Sequence, residues 1–201
     1  MKALVTAFDP FGGSGVNSSL EAVRRLPPCI GALEITTVAL PTSYARSHAA
    51  LEAAIARTKP DIVLCVGQAG ERAALCVERI AINVQDADIA DNDGARPLDA
   101  PVIAGGPAAY LTTLPARAAV AALRAQSLPA QLSTSAGTFV CNHVFYRLMH
   151  LAAARRNAFI AGFLHVPALP QAGAATPSMT LADIVRGIEV VLEAAATRPQ
   201  P

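Results

Sequence analysis

Short apolar runs that stop at turn formers alternate along this chain with longer segments whose apolar residues recur every three or four positions. Residues 2–8 (KALVTAF) are apolar almost throughout and end at DPFGG, the pattern of a buried strand followed by a turn. Residues 17–26 (NSSLEAVRRL) open with Asn and Ser and carry an early Glu, which predicts a capped helix. A β-branched strand over 33–40, an amphipathic helix over 42–58 and a buried strand over 61–67 (DIVLCVG) follow. Residues 74–84 (ALCVERIAINV) alternate like a paired strand, and 86–107 are rich in acids and turn formers, a long loop with short hairpin pieces. The pattern then predicts a helix over 115–126, a strand and turn over 130–137, a helix over 140–156, a buried strand over 158–167 and a last helix over 180–197. Strands and helices in alternation, joined by crossover-length connections, predict an α/β fold, a three-layer α/β/α sandwich with a mostly parallel central sheet. No linker, repeat or low-complexity tract interrupts residues 1–201, which read as one domain.

Composition narrows the function classes. The chain is 53% hydrophobic and 15% charged with a net charge of +1, and its Lys and Arg are scattered, which argues against nucleic acid or an anionic membrane as a partner. The start MKALVTAFDPFGG lacks the apolar core of a secretory signal, and no run of about 18 apolar residues predicts a membrane span. The four cysteines, Cys29, Cys65, Cys76 and Cys141, show neither CxxC nor zinc-site spacing, so reduced thiols, no metal and a cytoplasmic location are expected. The loop FGGSGVNS follows a strand and precedes a helix, as nucleotide loops do, but it lacks the third glycine of that pattern and no Gly-Lys-Ser/Thr occurs. Phe8 and Phe11 flank the DP at its start; they either pack beneath the loop or line a pocket.

Candidate chemistry centres on GTFVCNHVFY, residues 137–146. Cys141 lies after the strand over 130–137 and at the beginning of a helix, at the sheet edge where ligands bind in such folds. A helix N-terminus favours the thiolate and offers N–H groups to an oxyanion. The competing reading is a buried, unreactive thiol, the role expected for Cys29, Cys65 and Cys76. His143, two residues along the same helix, points away from Cys141; His165 ends the strand AFIAGFL at the same sheet edge and is the better base. Glu78 shares the apolar face of its strand with Cys76, Ile80, Ile82 and Val84, so it needs a partner: His165, as the orienting acid of a triad, or a distant arginine in a salt bridge.

Taken together, FDPFGG…NSS, GQAG…ERIAIN, DNDGARP, GTFVCNHVFY and GFLHVP resemble the pyroglutamyl peptidase I family of cysteine peptidases, along the whole chain. The resemblance implies a cytosolic homotetramer that removes N-terminal pyroglutamyl residues from peptides without metal or cofactor. Its Cys-His-Glu triad falls on Cys141, His165 and Glu78, the trio reached from position and pattern. Its lactam pocket falls on Phe8 and Phe11, with Thr42, Ile89, Phe139 and Val140 as further walls and Gln68 as a polar position near the substrate. The chain departs from the family pattern at Asp88, where an arginine is usual, at Ala90 and Ser18, where prolines are usual, and at Glu71 within GQAGER. Two other readings stay open from the residues alone: a cysteine hydrolase of small amides, and a non-catalytic protein that binds pyroglutamyl ends.

Overall fold

The computed structural model describes residues 1–156, 158–171 and 176–197. Three strands are buried along nearly their whole length: β1 (Lys2–Phe8), β4 (Ile62–Gln68) and β9 (Ile160–Val166). Being apolar on both faces, they take the middle of the sheet. Among the described residues the main sheet has seven strands in the order β2 (Cys29–Ile30), β3 (Leu33–Leu40), β1, β4, β9, β5 (Leu75–Glu78) and β8 (Ala130–Ser133). β3, β1, β4 and β9 are parallel, β2 runs against β3, β5 runs against β9, and β8 is parallel to β5.

Alternation along these strands sorts the core into two layers. Ala3, Val5, Ala7, Ile62, Leu64, Val66, Ile160 and Leu164 face one way, with α5 (Leu181–Ala196), α3 (Ala116–Ala125) and α1 (Ser18–Val23) packed over them. Leu4, Phe8, Val63, Cys65, Ala161 and Phe163 face the other way, under α2 (Ser47–Thr58) and α4 (Val140–Ala154). The result is the three-layer α/β/α sandwich expected from the pattern. No helix among the described residues is long and apolar enough to cross a membrane.

Local chemistry moves several boundaries. The alternating run over 74–84 is two strands. β5 ends at Glu78, and Arg79 turns the chain by donating its N–H to the Ser133 carbonyl and accepting from Thr112 N–H. β6 (Ile80–Ile82) then pairs antiparallel with β7 (Ala109–Leu111), a strand absent from the sequence reading. Glu78 therefore shares a face with Cys76 but not with Ile80 and Ile82. The helix expected from 42 begins only at Ser47, because the N–H groups of Thr42 and Tyr44 are held by the carboxylates of Asp9 (2.6 Å) and Asp91 (2.8 Å). Residues 86–107 form no named element, and the pairing of Gln85 with Ala100 braces the base of that loop.

The direction of β8 corrects the route to Cys141. β8 runs against the central strands, so its carboxyl end lies away from the rim where β4 and β9 end. Residues 134–139 climb back before α4 starts. Cys141 reaches the rim through that segment and not by following a parallel strand.

Candidate active site

Cys141, His165 and Glu78 come from α4, β9 and β5. In the β4–β9 ladder His165 stands opposite Gly67, and directly paired residues project to the same face of a sheet. Gly67 projects nothing, and the Cys141 sulfur occupies the room. A Cβ built on Gly67 would lie 2.9 Å from Sγ and 2.8 Å from the Phe163 ring. The thiol thus rests on the backbone of β4 at the position beside His165.

On the other flank of His165, β5 places Cys76 opposite it and Glu78 opposite Phe163. Glu78 is 0% exposed, and its Oε1 lies 2.8 Å from His165 Nδ1. A carboxylate accepts only, so Nδ1 carries the hydrogen and donates it. The same Oε1 accepts from the Arg72 guanidinium at 2.6 Å, and Arg72 also donates to the Ser133 hydroxyl (3.3 Å) and the Ser135 carbonyl (2.8 Å). Both partners weighed for Glu78, a histidine and an arginine, meet on one oxygen. Oε2 is buried without a hydrogen-bond partner in the structure. Leaving such a carboxylate without a counter-charge costs about 3–5 kcal/mol, and Arg72 supplies that charge. Arg72 escaped the sequence reading because it sits on the turn between β4 and β5, where no periodicity links it to Glu78. Its only signal was a positive charge six residues ahead of an acid expected to be buried.

Electrostatics correct one expectation. The Cys141 thiol is pushed up to about 12, by burial first and then by the negative charge of Glu78 and by Cys65. Arg72 and the backbone N–H at the helix start act in the lowering direction and are outweighed. His165 is held below its ordinary value by burial and, more weakly, by Arg72, against the opposing pull of Glu78. Both shifts favour thiol and neutral imidazole over the thiolate–imidazolium pair. The sequence displays the helix start but not the depth at which the sulfur sits.

The candidate pocket residues fall in two tiers. Phe11 and Phe139 are half-buried with ring centroids 5.8 Å apart, and Tyr44 meets Phe139 edge-on at 5.7 Å. Ile89 is 46% exposed and its Cδ1 approaches Gly12 on the Phe11 loop. Phe8, Thr42 and Val140 lie deeper: Phe8 is 2% exposed and packs on Phe163 at 6.3 Å, Thr42 bonds to Asp9, and Val140 is fully buried. Gln68, half-buried at the end of β4, accepts from the Ser18 N–H through Oε1 at 2.7 Å. A proline at position 18 has no such hydrogen to give. Asn92 links Asp9 and the Pro10 carbonyl, so the DND turn braces the Phe11 loop. Asp88, Ala90 and Glu71 are exposed.

The remaining histidines stand elsewhere. His143 is buried, pairs through Nδ1 with Gln85 Oε1 (3.0 Å) and is pushed down to about 3 by burial, Arg147 and His48. His150 bonds to the Tyr110 hydroxyl. All four cysteines are free thiols; Cys65 and Cys76 are buried, whereas Cys29, expected to be buried, is exposed on the short edge strand β2. Among the described residues no three His, Cys, Asp or Glu side chains gather as a metal site.

Gly67 supplies a test of this geometry. Gly67→Ala would drive a methyl group into Sγ and the Phe163 ring, so about 1–3 kcal/mol of stability should be lost to overpacking. Displacement of the sulfur should cost about 100-fold in turnover. Denaturant unfolding and steady-state kinetics on the same variant read both effects.

Comparison with known proteins bears on the same residues. The profile of the family described as pyroglutamyl peptidase matches residues 1–198. The pyrrolidone-carboxylate peptidase of Alkaliphilus oremlandii is 46% identical over 198 residues, covering 97% of this chain and 93% of the relative. Pyrrolidone-carboxylate peptidase 1 of Streptococcus pneumoniae is 48% identical over 197 residues, covering 96% and 92%. Among solved structures, pyroglutamyl peptidase I of Bacillus amyloliquefaciens superposes with a TM-score of 0.95 at 41% identity, covering 98% of this chain and 95% of that one. The chain belongs to the pyroglutamyl peptidase family.

Proposed function

We propose that this protein hydrolyses the bond after an N-terminal pyroglutamyl residue, with Cys141 as nucleophile, His165 as general base and acid, and Glu78 as the group that orients the imidazole. The observation that carries the reading is the seating of the Cys141 sulfur over Gly67, beside a histidine whose Nδ1 is already committed to a buried carboxylate. With Nδ1 occupied, Nε2 is the ring nitrogen left to take the thiol proton.

The reaction then balances with these residues, the substrate and water. Nε2 accepts the thiol proton as sulfur attacks the pyroglutamyl carbonyl carbon. Phe139 provides no side-chain cap to α4, and the N–H of Cys141 in its first turn would help to hold the oxyanion. The C–N bond breaks as Nε2 returns the proton to the leaving amine. Water attacks the thioester, gives a proton to Nε2, and the C–S bond breaks as that proton returns to sulfur, releasing pyroglutamate. Burial disfavours charge on both groups, so in this reading proton transfer accompanies attack.

The substrate reading rests on the Phe11–Phe139 pair. A pyroglutamyl ring is flat and uncharged, with one lactam N–H and one C=O, and suits an aromatic surface with few polar contacts. A free amino terminus would have to shed its water there. The homotetramer and cytoplasmic setting implied by the resemblance belong to this same reading. The test is release of fluorophore from a pyroglutamyl aminocoumarin amide, compared with the glutaminyl and prolyl amides that carry a free amine. Turnover of the pyroglutamyl compound alone, lost after thiol blocking, is expected. Absence of turnover, or equal turnover of the amines, overturns the reading.

A further inference from the structure

Glu78 oxygen Oε1 has two donors, His165 Nδ1 at 2.8 Å and the Arg72 guanidinium at 2.6 Å, and the second of these has no place in the reaction as written above. Further guanidinium contacts run to Cys76 on β5, to Ser133 and to the Ser135 carbonyl, the last two on the segment that carries the chain from β8 back up to Cys141. Arg72 is itself fixed at its backbone, where its N–H closes the turn after β4 on the Ala69 carbonyl. One side chain therefore spans the end of β4, the acid on β5 and the approach to the nucleophile.

From this junction we propose that Arg72 is a positioning residue for the reaction: it supplies the counter-charge to the buried Glu78 carboxylate, limits the proton affinity of the Glu78–His165 pair, and pins the Ser133–Ser135 segment below Cys141. The inference rests on the triad reading given above and goes beyond it.

The physical need is specific. A base must be empty before it can accept the thiol proton. A buried carboxylate beside an imidazole, with no cation near it, draws an extra proton into the pair, and it does so whichever of the two groups holds that proton. The charged and titratable groups around the pair are Cys76 on β5, Cys65 on β4, Cys141 on α4, Tyr44 before α2, and Arg72. Among them Arg72 is the cation acting on both His165 and Cys141, in each case in the lowering direction. Removing its charge leaves the pair one negative charge richer. The pair should then fill with a proton at higher pH, and the thiol should ionise at higher pH.

The test is the pH dependence of kcat/KM for the pyroglutamyl aminocoumarin amide in wild type, Arg72→Met, Arg72→Gln and Arg72→Lys. In the two neutral variants the acid limb should move up by about one pH unit, the alkaline limb should move the same way, and kcat should fall more than KM rises. Arg72→Lys keeps the charge and should return the acid limb to the wild-type position, with a loss of a few fold left over from the lost Ser135 contact. Should Arg72→Met not fold, Arg72→Gln gives the same reading. Neutral variants whose limbs stay in place, whether activity falls uniformly or not at all, overturn the proposal. A second arm measures the rate of Cys141 alkylation by iodoacetamide against pH, resolved by peptide mass spectrometry to exclude the exposed Cys29. A wild type that releases no fluorophore sinks the peptidase reading, but the alkylation arm still decides the Arg72 claim: its acid inflection must rise in the neutral variants, and an unmoved inflection refutes it.

Discussion

Cys141→Ser is expected to lower kcat/KM for the pyroglutamyl amide by at least about 10,000-fold, the scale seen when a catalytic nucleophile is removed. The substitution changes one atom in a seat already shaped by Gly67 and Phe163, so the thermal midpoint should stay close to wild type. A hydroxyl holds its proton far more tightly than a thiol, and a neutral imidazole whose proton affinity is limited by burial and by Arg72 is too weak a base to help it. The prediction separates a nucleophile from a packing residue, since a thiol that served only to fill space would be replaced by serine at little kinetic cost. It also discriminates among the cysteines: Cys65 lies in the same layer, fully buried opposite Phe163 where Cys141 is half-buried, and is likewise pushed up to about 12 by burial. Serine at Cys65 should leave turnover within a few fold.

The second large effect is expected at His165. His165→Ala removes the base and leaves Glu78 with Arg72 alone, so turnover should fall about 1,000-fold, the middle to upper range for loss of a general base. His143→Ala is the informative companion, because His143 is only two residues from Cys141 in sequence and is just as buried. Its contacts are with Gln85, His48 and Tyr44, none of them a member of the triad, and its loss should cost stability through the lost hydrogen bond and the cavity without a comparable loss of rate. Paired kinetics and denaturant unfolding resolve the two variants. Equal loss of kcat in both would mean that the base has been misassigned.

How far the chain could be read in advance depended on where each residue's neighbours lie. The strands at β1, β4 and β9 were legible because burial on both faces leaves an unbroken apolar run that needs no knowledge of partners. The pairing of His165 with Glu78 was legible because a carboxylate in phase with Cys76 on an apolar face had to be compensated. The break at Arg79 was not, since it is made by Ser133 and Thr112, distant in sequence. The late start of α2 is likewise imposed by the carboxylates of Asp9 and Asp91, which compete with the helix for the same N–H groups. Arg72 and Gly67 matter through contacts across strands and turns, and neither stands on any periodic face. For Cys141 the local signal, a helix start, pointed toward easy ionisation, while burial beside Glu78 pushes the other way and prevails.

That reversal alters the view of the chemistry. A sulfur whose ionisation is disfavoured by burial should resist adventitious oxidation and alkylation, which follow thiolate character. In the proposed reaction it becomes a nucleophile as His165 takes its proton. In the proposed roles Glu78 and Arg72 are a matched pair of charges, Glu78 orienting the imidazole and Arg72 limiting its appetite for protons.

The central claim is that the pyroglutamyl group passes through a thioester on Cys141. Rapid acid quench of wild-type protein mixed with an activated pyroglutamyl ester, followed by peptide mass spectrometry, tests it most directly. A mass increase of one pyroglutamyl group on the peptide bearing Cys141, absent in Cys141→Ser and decaying as pyroglutamate appears, is the result expected. Turnover with no adduct on that peptide, or with the adduct on another residue, would contradict the claim.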